Sequence, residues 1–240
     1  MLALYVRVED GWMRFYLFGK ILVDILPDLS SLRVLSLSRF EIIEVWSTNS
    51  KVVFPCLREL RIKNCGNLAD ISLEALPSLR VLKINTCGDG VLKSLVKAGS
   101  SITELKITYI SGLTDEVWRG VVKYLGVVED VTIKYCNEIR YLWESEVEAS
   151  KVLRSLKKLK VCECKNMVSL GEKEEDDSFG SNLLSSLRML EISFCNSMEQ
   201  TLLPSFLSLE IIGCHRDLEE RCNGRSSHYW PSSLTSLAAN

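Results

Sequence analysis

One pattern constrains this chain more than any other. The segments LRELRIKNC (57–65), LRVLKINTC (79–87), VEDVTIKYC (128–136), LKKLKVCEC (156–164), LRMLEISFC (187–195) and FLSLEIIGC (206–214) share the form φ-x-x-φ-x-φ-x-x-C, where φ is apolar. LRVLSLSRF (32–40) and ITELKITYI (102–110) follow it with an apolar residue in place of the cysteine. The ninth positions fall at 40, 65, 87, 110, 136, 164, 195 and 214, giving steps of 25, 22, 23, 26, 28, 31 and 19. Eight matches at one period of about 25 residues mark an internal repeat.

Within each unit the fourth and sixth residues, Leu60 and Ile62 for example, alternate with polar ones. Period-two alternation is the mark of a short strand with one buried face. A single unit cannot bury that face alone, and stacking on its neighbours does so. Period and pattern match the leucine-rich repeat. The predicted fold is α/β, a solenoid with a curved parallel sheet on its concave face and irregular or short helical connectors on its convex face. Residues 1–28 are expected to be an N-terminal flanking segment. Residues 29–240 form about eight irregular repeats truncated at the C-terminus, where Leu234 and Leu237 begin another unit.

Two connectors carry a helical period. In TDEVWRGVVKYLG, Trp118, Val121, Val122 and Leu125 fall on one face, with Thr114 placed to cap the start and Gly126 to end it. GVLKSLVKAG is a second helix, closed by Gly99. The acidic run GEKEEDD (171–177) is expected to be a solvated loop.

Apolar residues make up 47% of 240, enough for a continuous core. The near balance of 29 basic and 31 acidic residues argues against bulk electrostatic binding of nucleic acid. No apolar window reaches the roughly 18 residues of a membrane span. The start, MLALYVRVEDGW, lacks the form of a signal peptide, so a cytoplasmic protein is expected.

Nine cysteines are present, six of them at the ninth repeat position, where a small apolar side chain turns inward; buried free thiols are expected there. Cys162, on the alternate register, is expected to face solvent, which opposes a metal site built on Cys162-x-Cys164. With two histidines and neither a phosphate loop nor a nucleophile motif, the sequence predicts no enzyme, no metal site and no cofactor.

Three stretches resemble one family. KILVDILPDLSSLRVLSLSRFEIIEVW (20–46) resembles the first repeat that follows the nucleotide-binding module in plant NLR disease-resistance proteins of the coiled-coil class. FPCLRELRIKNCGNL (54–68) and YCNEIRYLWESE (135–146) resemble the irregular later repeats of such receptors. The resemblance implies a region that senses pathogen effectors and restrains a nucleotide switch. This chain passes from Trp46 to Phe54 without the family's intervening L-x-x-L-P repeats, and it lacks the nucleotide-binding module.

Side chains turned away from the core form columns across the stacked strands. The fifth position carries Ser36, Arg61, Lys83, Lys106, Thr132, Lys160, Glu191 and Glu210. The candidate partner-binding residues on the concave face are Arg61, Lys63, Lys83, Lys106, Lys134, Lys158 and Lys160, interleaved with Glu59, Glu104 and Asp130. Glu59 beside Arg61 and Glu104 beside Lys106 are expected to neutralise part of this stripe. Tyr109, Tyr135 and Phe194, near the strand ends, are candidate aromatic anchors. The expected partner is a protein: a pathogen effector, a guarded host protein or a receptor nucleotide-binding domain. An F-box-like substrate adaptor and a non-functional receptor fragment are the alternatives.

Overall fold

The computed structural model describes residues 2–8, 11–17, 32–38, 45–47, 54–66, 68, 70–72, 75–172, 186–198, 208–212 and 214. Eight repeat strands stack in one direction: β3 (Leu32–Ser38), β5 (Glu59–Cys65), β7 (Val81–Gly88), β8 (Glu104–Ser111), β9 (Asp130–Lys134), β10 (Lys158–Cys162), β11 (Met189–Ser193) and β12 (Ser208–Ile212). Each is parallel to the next. The register keeps equal repeat positions opposite each other, as in Leu60↔Leu82↔Leu105↔Val131. This is the leucine-rich-repeat solenoid that the periodicity predicts.

The register follows from burial. A slip of one residue would turn every apolar side chain to the wrong face. The fourth and sixth positions are buried in every strand from β3 to β11, from Leu35 and Leu37 to Leu190 and Ile192. The first position is buried as well, as Leu57, Leu79, Ile102, Val128, Leu156 and Leu187 show. The ladder extends below the strands through second-position amides. Arg80 N donates to Arg58 O (2.9 Å), Thr103 N to Arg80 O (2.9 Å), Glu129 N to Thr103 O (2.8 Å), Lys157 N to Glu129 O (2.8 Å) and Arg188 N to Lys157 O (2.9 Å).

The segment before the repeats extends this sheet with a hairpin. Strands β1 (Leu2–Val8) and β2 (Gly11–Leu17) pair antiparallel, and β1 pairs antiparallel with β3. Its signals were the alternation in LALYVRV and the Asp10-Gly11 dipeptide after it. The hairpin occupies the side of the first repeat strand that would otherwise offer an open edge. Behind the sheet, β4 (Val45–Ser47) and β6 (Asp70–Ser72) form a two-stranded parallel pair.

Three connectors are helical: α1 (Asp89–Ala98), α2 (Asp115–Val122) and α3 (Glu146–Val152). Helix α1 buries Val91, Leu92, Leu95 and Val96, and Gly99 stands at its C-cap as expected. A Cβ at Gly99 would lie 2.5 Å from Ile102 Cδ1, so the close approach of the next repeat favours glycine there. Helix α2 buries Trp118, Val121 and Val122, and the Thr114 hydroxyl accepts from Val117 N. It ends at Lys123, one turn before the expected Gly126. Leu125 remains buried beyond it, so the apolar period outlasts the helix. Helix α3 was not anticipated, because among its described residues Ala149 alone is buried and leaves no period to read. A signal was present in Ser145 followed three residues later by Glu148; Ser145 Oγ accepts from Glu148 N at 3.3 Å.

Several sequence expectations lie outside the described residues: the ninth position of the first repeat at Phe40, the acidic run beyond Glu172, Cys222, both histidines, and the final start at Leu234 and Leu237.

Candidate functional site

The strand ends share one backbone device. Asn64, Thr86, Tyr109, Tyr135, Glu163 and Phe194 all have φ between 51° and 55°, and all stand at the eighth repeat position. This left-handed step reverses the side-chain direction, so the ninth residue turns into the core. Cys65, Cys87, Cys136, Cys164 and Cys195 are buried there. Each thiol also donates back across the step to the seventh-position carbonyl: Cys65 to Lys63 O (3.2 Å), Cys87 to Asn85 O and Cys136 to Lys134 O (3.4 Å each), Cys164 to Cys162 O and Cys195 to Ser193 O (3.6 Å each). The cysteine is thus a small apolar plug with a donor that the turn needs.

None of the described cysteines is joined to another in a disulfide. Burial pushes the Cys136 thiol up to about 11. The hydrogen bond with the Cys65 thiol, together with burial, raises Cys87; Cys195 and burial do the same to Cys164. The shift favours the protonated thiol in these three, and the thiolate is the reactive form.

One cysteine departs from expectation. Cys162 is 6% exposed rather than solvent-facing. It stands on the outward side, with Sγ 3.9 Å from Glu191 Oε1 and with Lys134 and Ser193 as its register neighbours. Alternation assigned its side, but the longer Lys134 and Glu191 side chains on either hand enclose a short one. Thr132 obeys the same rule: between Lys106 and Lys160 in the fifth column, it is 5% exposed. Thr132 Oγ1 and Asp130 Oδ1 are buried atoms without a hydrogen-bond partner.

Four of the predicted basic residues share one row, because the register runs Ser36↔Arg61↔Lys83↔Lys106↔Thr132↔Lys160↔Glu191 without a break, and Lys63, Lys134 and Lys158 stand two places from that row on the same alternation. Four of the seven are paired with carboxylates. Arg61 Nε lies 2.7 Å from Glu59 Oε1, and Lys106 Nζ 2.6 Å from Glu104 Oε1, the two pairs expected from sequence. Lys83 bridges the same acids, at 2.9 Å from Glu59 and 3.8 Å from Glu104. Lys160 pairs with Glu191 across the strands. Burial alone would raise the Glu59 carboxyl, but hydrogen bonds from Arg61 and Lys83 outweigh it and hold the group below its ordinary value. The hydrogen bond to Glu59 raises Arg61 in turn. The stripe is therefore a ladder of alternating charge rather than a bare cationic column.

Lys63, Lys134 and Lys158 differ. Among the described residues, none of these three has an ion pair within 4.0 Å. Beside Lys134, at the strand ends, the Tyr109 and Tyr135 rings stack with centroids 4.4 Å apart and planes 5° apart. The Tyr135 hydroxyl donates to the Glu163 carboxylate, and that hydrogen bond pushes the phenol up to about 12. Tyr109 and Phe194 remain 52% and 53% exposed. Among the described residues, no group of three or more His, Cys, Asp and Glu could hold a metal ion, and no helix is long and apolar enough to cross a membrane.

No family model and no curated protein matches this chain. Among solved structures it is similar to the leucine-rich repeat domain of the type III effector XopL, at 19% identity with a TM-score of 0.48; the match covers 68% of this chain and 55% of that one.

Proposed function

We propose that this domain is a protein-recognition module of the kind found in plant immune receptors, working in the cytoplasm through the outward face of its sheet. One observation carries the reading: from β5 to β11 that face presents charged side chains in a single unbroken register, with exposed aromatic rings beside them at the strand ends. Ion pairs that already hold part of such an array lower the ordering cost of binding. Arg61, Lys63, Lys83, Lys106, Lys134, Lys158 and Lys160 supply the cations of this surface, and the ladder carboxylates hold four of them in place.

The receptor-type reading rests on the resemblance of residues 20–46, 54–68 and 135–146 to plant NLR repeats. It makes the partner a pathogen effector, a guarded host protein or the nucleotide-binding domain of such a receptor. The isolated nucleotide-binding domain of a plant coiled-coil NLR is the direct probe. Saturable binding that weakens with salt, and whose association rate falls when Lys83 and Lys106 are both changed to Glu, is the expected result. Binding indifferent to that double change in an intact fold overturns the reading, and no saturable binding removes the nucleotide-binding domain from the three partners.

A further inference from the structure

We infer that the seventh and eighth positions between β5 and β9 form a track for an extended acidic segment of a partner protein, with carboxylates four residues apart held by Lys63 and Lys134. The inference rests on the recognition reading above and specifies its ligand. The seventh-position row runs Lys63↔Asn85↔Thr108↔Lys134 in continuous register. A cation stands at each end and a short hydrogen-bonding side chain at each of the two middle places. The eighth-position row beside it is Asn64, Thr86, Tyr109 and Tyr135. Neither row contains a carboxylate over this span, whereas the third and fifth columns are already matched in charge by Glu59 and Glu104.

Length selects the ligand's conformation. Lys63 and Lys134 are three strand spacings apart, or about 14 Å. An extended chain rises about 3.4 Å per residue, so side chains at i and i+4 span the same distance on one face. Asn85 and Thr108 suit an extended segment because its main-chain groups still need partners, whereas those of a helix are satisfied. The Asn85 side-chain oxygen already accepts from Thr86 Oγ1 at 2.7 Å, which leaves its amide to donate.

The tyrosines support the track independently. A left-handed turn is easiest for Gly or Asn, and a bulky residue there is uncommon. Tyr109 and Tyr135 nonetheless occupy it, at φ 51° and 55°. Their stack, anchored through Tyr135 to Glu163, builds a fixed aromatic platform beside Lys134. Pre-set aromatic surface binds at low entropic cost.

The test uses the full chain and three capped seven-residue peptides on a Ser/Thr/Gly background, with two Glu residues two, four or three places apart. Binding is followed by backbone amide NMR shifts. The four-residue spacing should bind about fivefold tighter than the two-residue spacing, the effect of one added ion pair of about 1 kcal/mol. Lys63→Gln or Lys134→Gln should erase that preference, and Lys97→Gln on α1, away from this face, should leave it. Tyr109→Ala should weaken all three peptides about equally. Thermal unfolding confirms that each variant is folded. Equal binding at every spacing, or a preference that survives both Lys63→Gln and Lys134→Gln, overturns the track. Shifts confined to Arg61, Lys83 and Lys106 also overturn it, yet leave recognition by this face standing. A five-nucleotide single-stranded oligothymidylate that binds more tightly than every peptide would assign the track to nucleic acid and overturn the inference.

Discussion

At the scale of single residues, the eighth position concentrates backbone strain. Thr86 is β-branched and sits at φ 54°. Left-handed geometry costs such a residue roughly 1 kcal/mol, and asparagine tolerates it better. Thr86→Asn should therefore raise stability by about 0.5–1 kcal/mol in urea unfolding, with an unchanged denaturant slope. A loss of stability would mean that the hydroxyl's bond to Asn85 outweighs the strain. The ninth position makes a second prediction. Cys56 is exposed, while Cys65, Cys87, Cys136, Cys164 and Cys195 are buried. Iodoacetamide mapped by mass spectrometry should label Cys56 well before those five; equal labelling would contradict the plugged turn. Glu59 sets a pH dependence. Its folded pKa is depressed, so its contribution is present above its unfolded value near 4.3 and is lost as pH falls through the lower folded value. Glu59→Gln should flatten the stability profile in that acid window. The cysteine plugs were legible from sequence because they recur at one position. The burial of Cys162 and Thr132 was not, since it depends on the length of side chains two repeats supply from either side.

At the scale of elements, the repeat strands were legible because each obeys a two-residue period and its neighbours enforce the register. The connectors were legible only where several apolar residues face the core. Helix α2, with Trp118, Val121 and Val122 buried, announced itself; α3, resting on Ala149, did not. Periodicity also overran the end of α2, because Leu125 stays in the core after the helix has stopped. Thr114→Ala should cost about 0.5–2 kcal/mol, since the hydroxyl satisfies an amide of the first turn. Unfolding measured by circular dichroism checks this, and an effect near zero would show that packing of Trp118 alone holds the helix.

At the scale of the whole molecule, stacking makes each repeat depend on its neighbours. Leu82 is fully buried and lies opposite Leu60 and Leu105. Leu82→Ala should cost roughly 2–5 kcal/mol and should increase amide exchange in β5 and β8 as well as β7. The candidate site was legible in part at this scale. The sequence placed seven cations on one face, and the register keeps them there. It missed the bridging of Lys83 to two acids, the pairing of Lys160 with Glu191 and the stacking of the tyrosines, because those depend on contacts between different repeats. The proposed function places recognition on the outward sheet face and not on the connectors. A photo-crosslinking side chain placed at Thr108 on that face, and in separate variants at Lys97 on α1 or at Lys123, the C-cap of α2, tests it in complex with the NLR nucleotide-binding domain. Crosslinks from position 108 that fade with added salt, with few from 97 or 123, are the predicted result. Equal or stronger crosslinking from the helix positions would contradict the account.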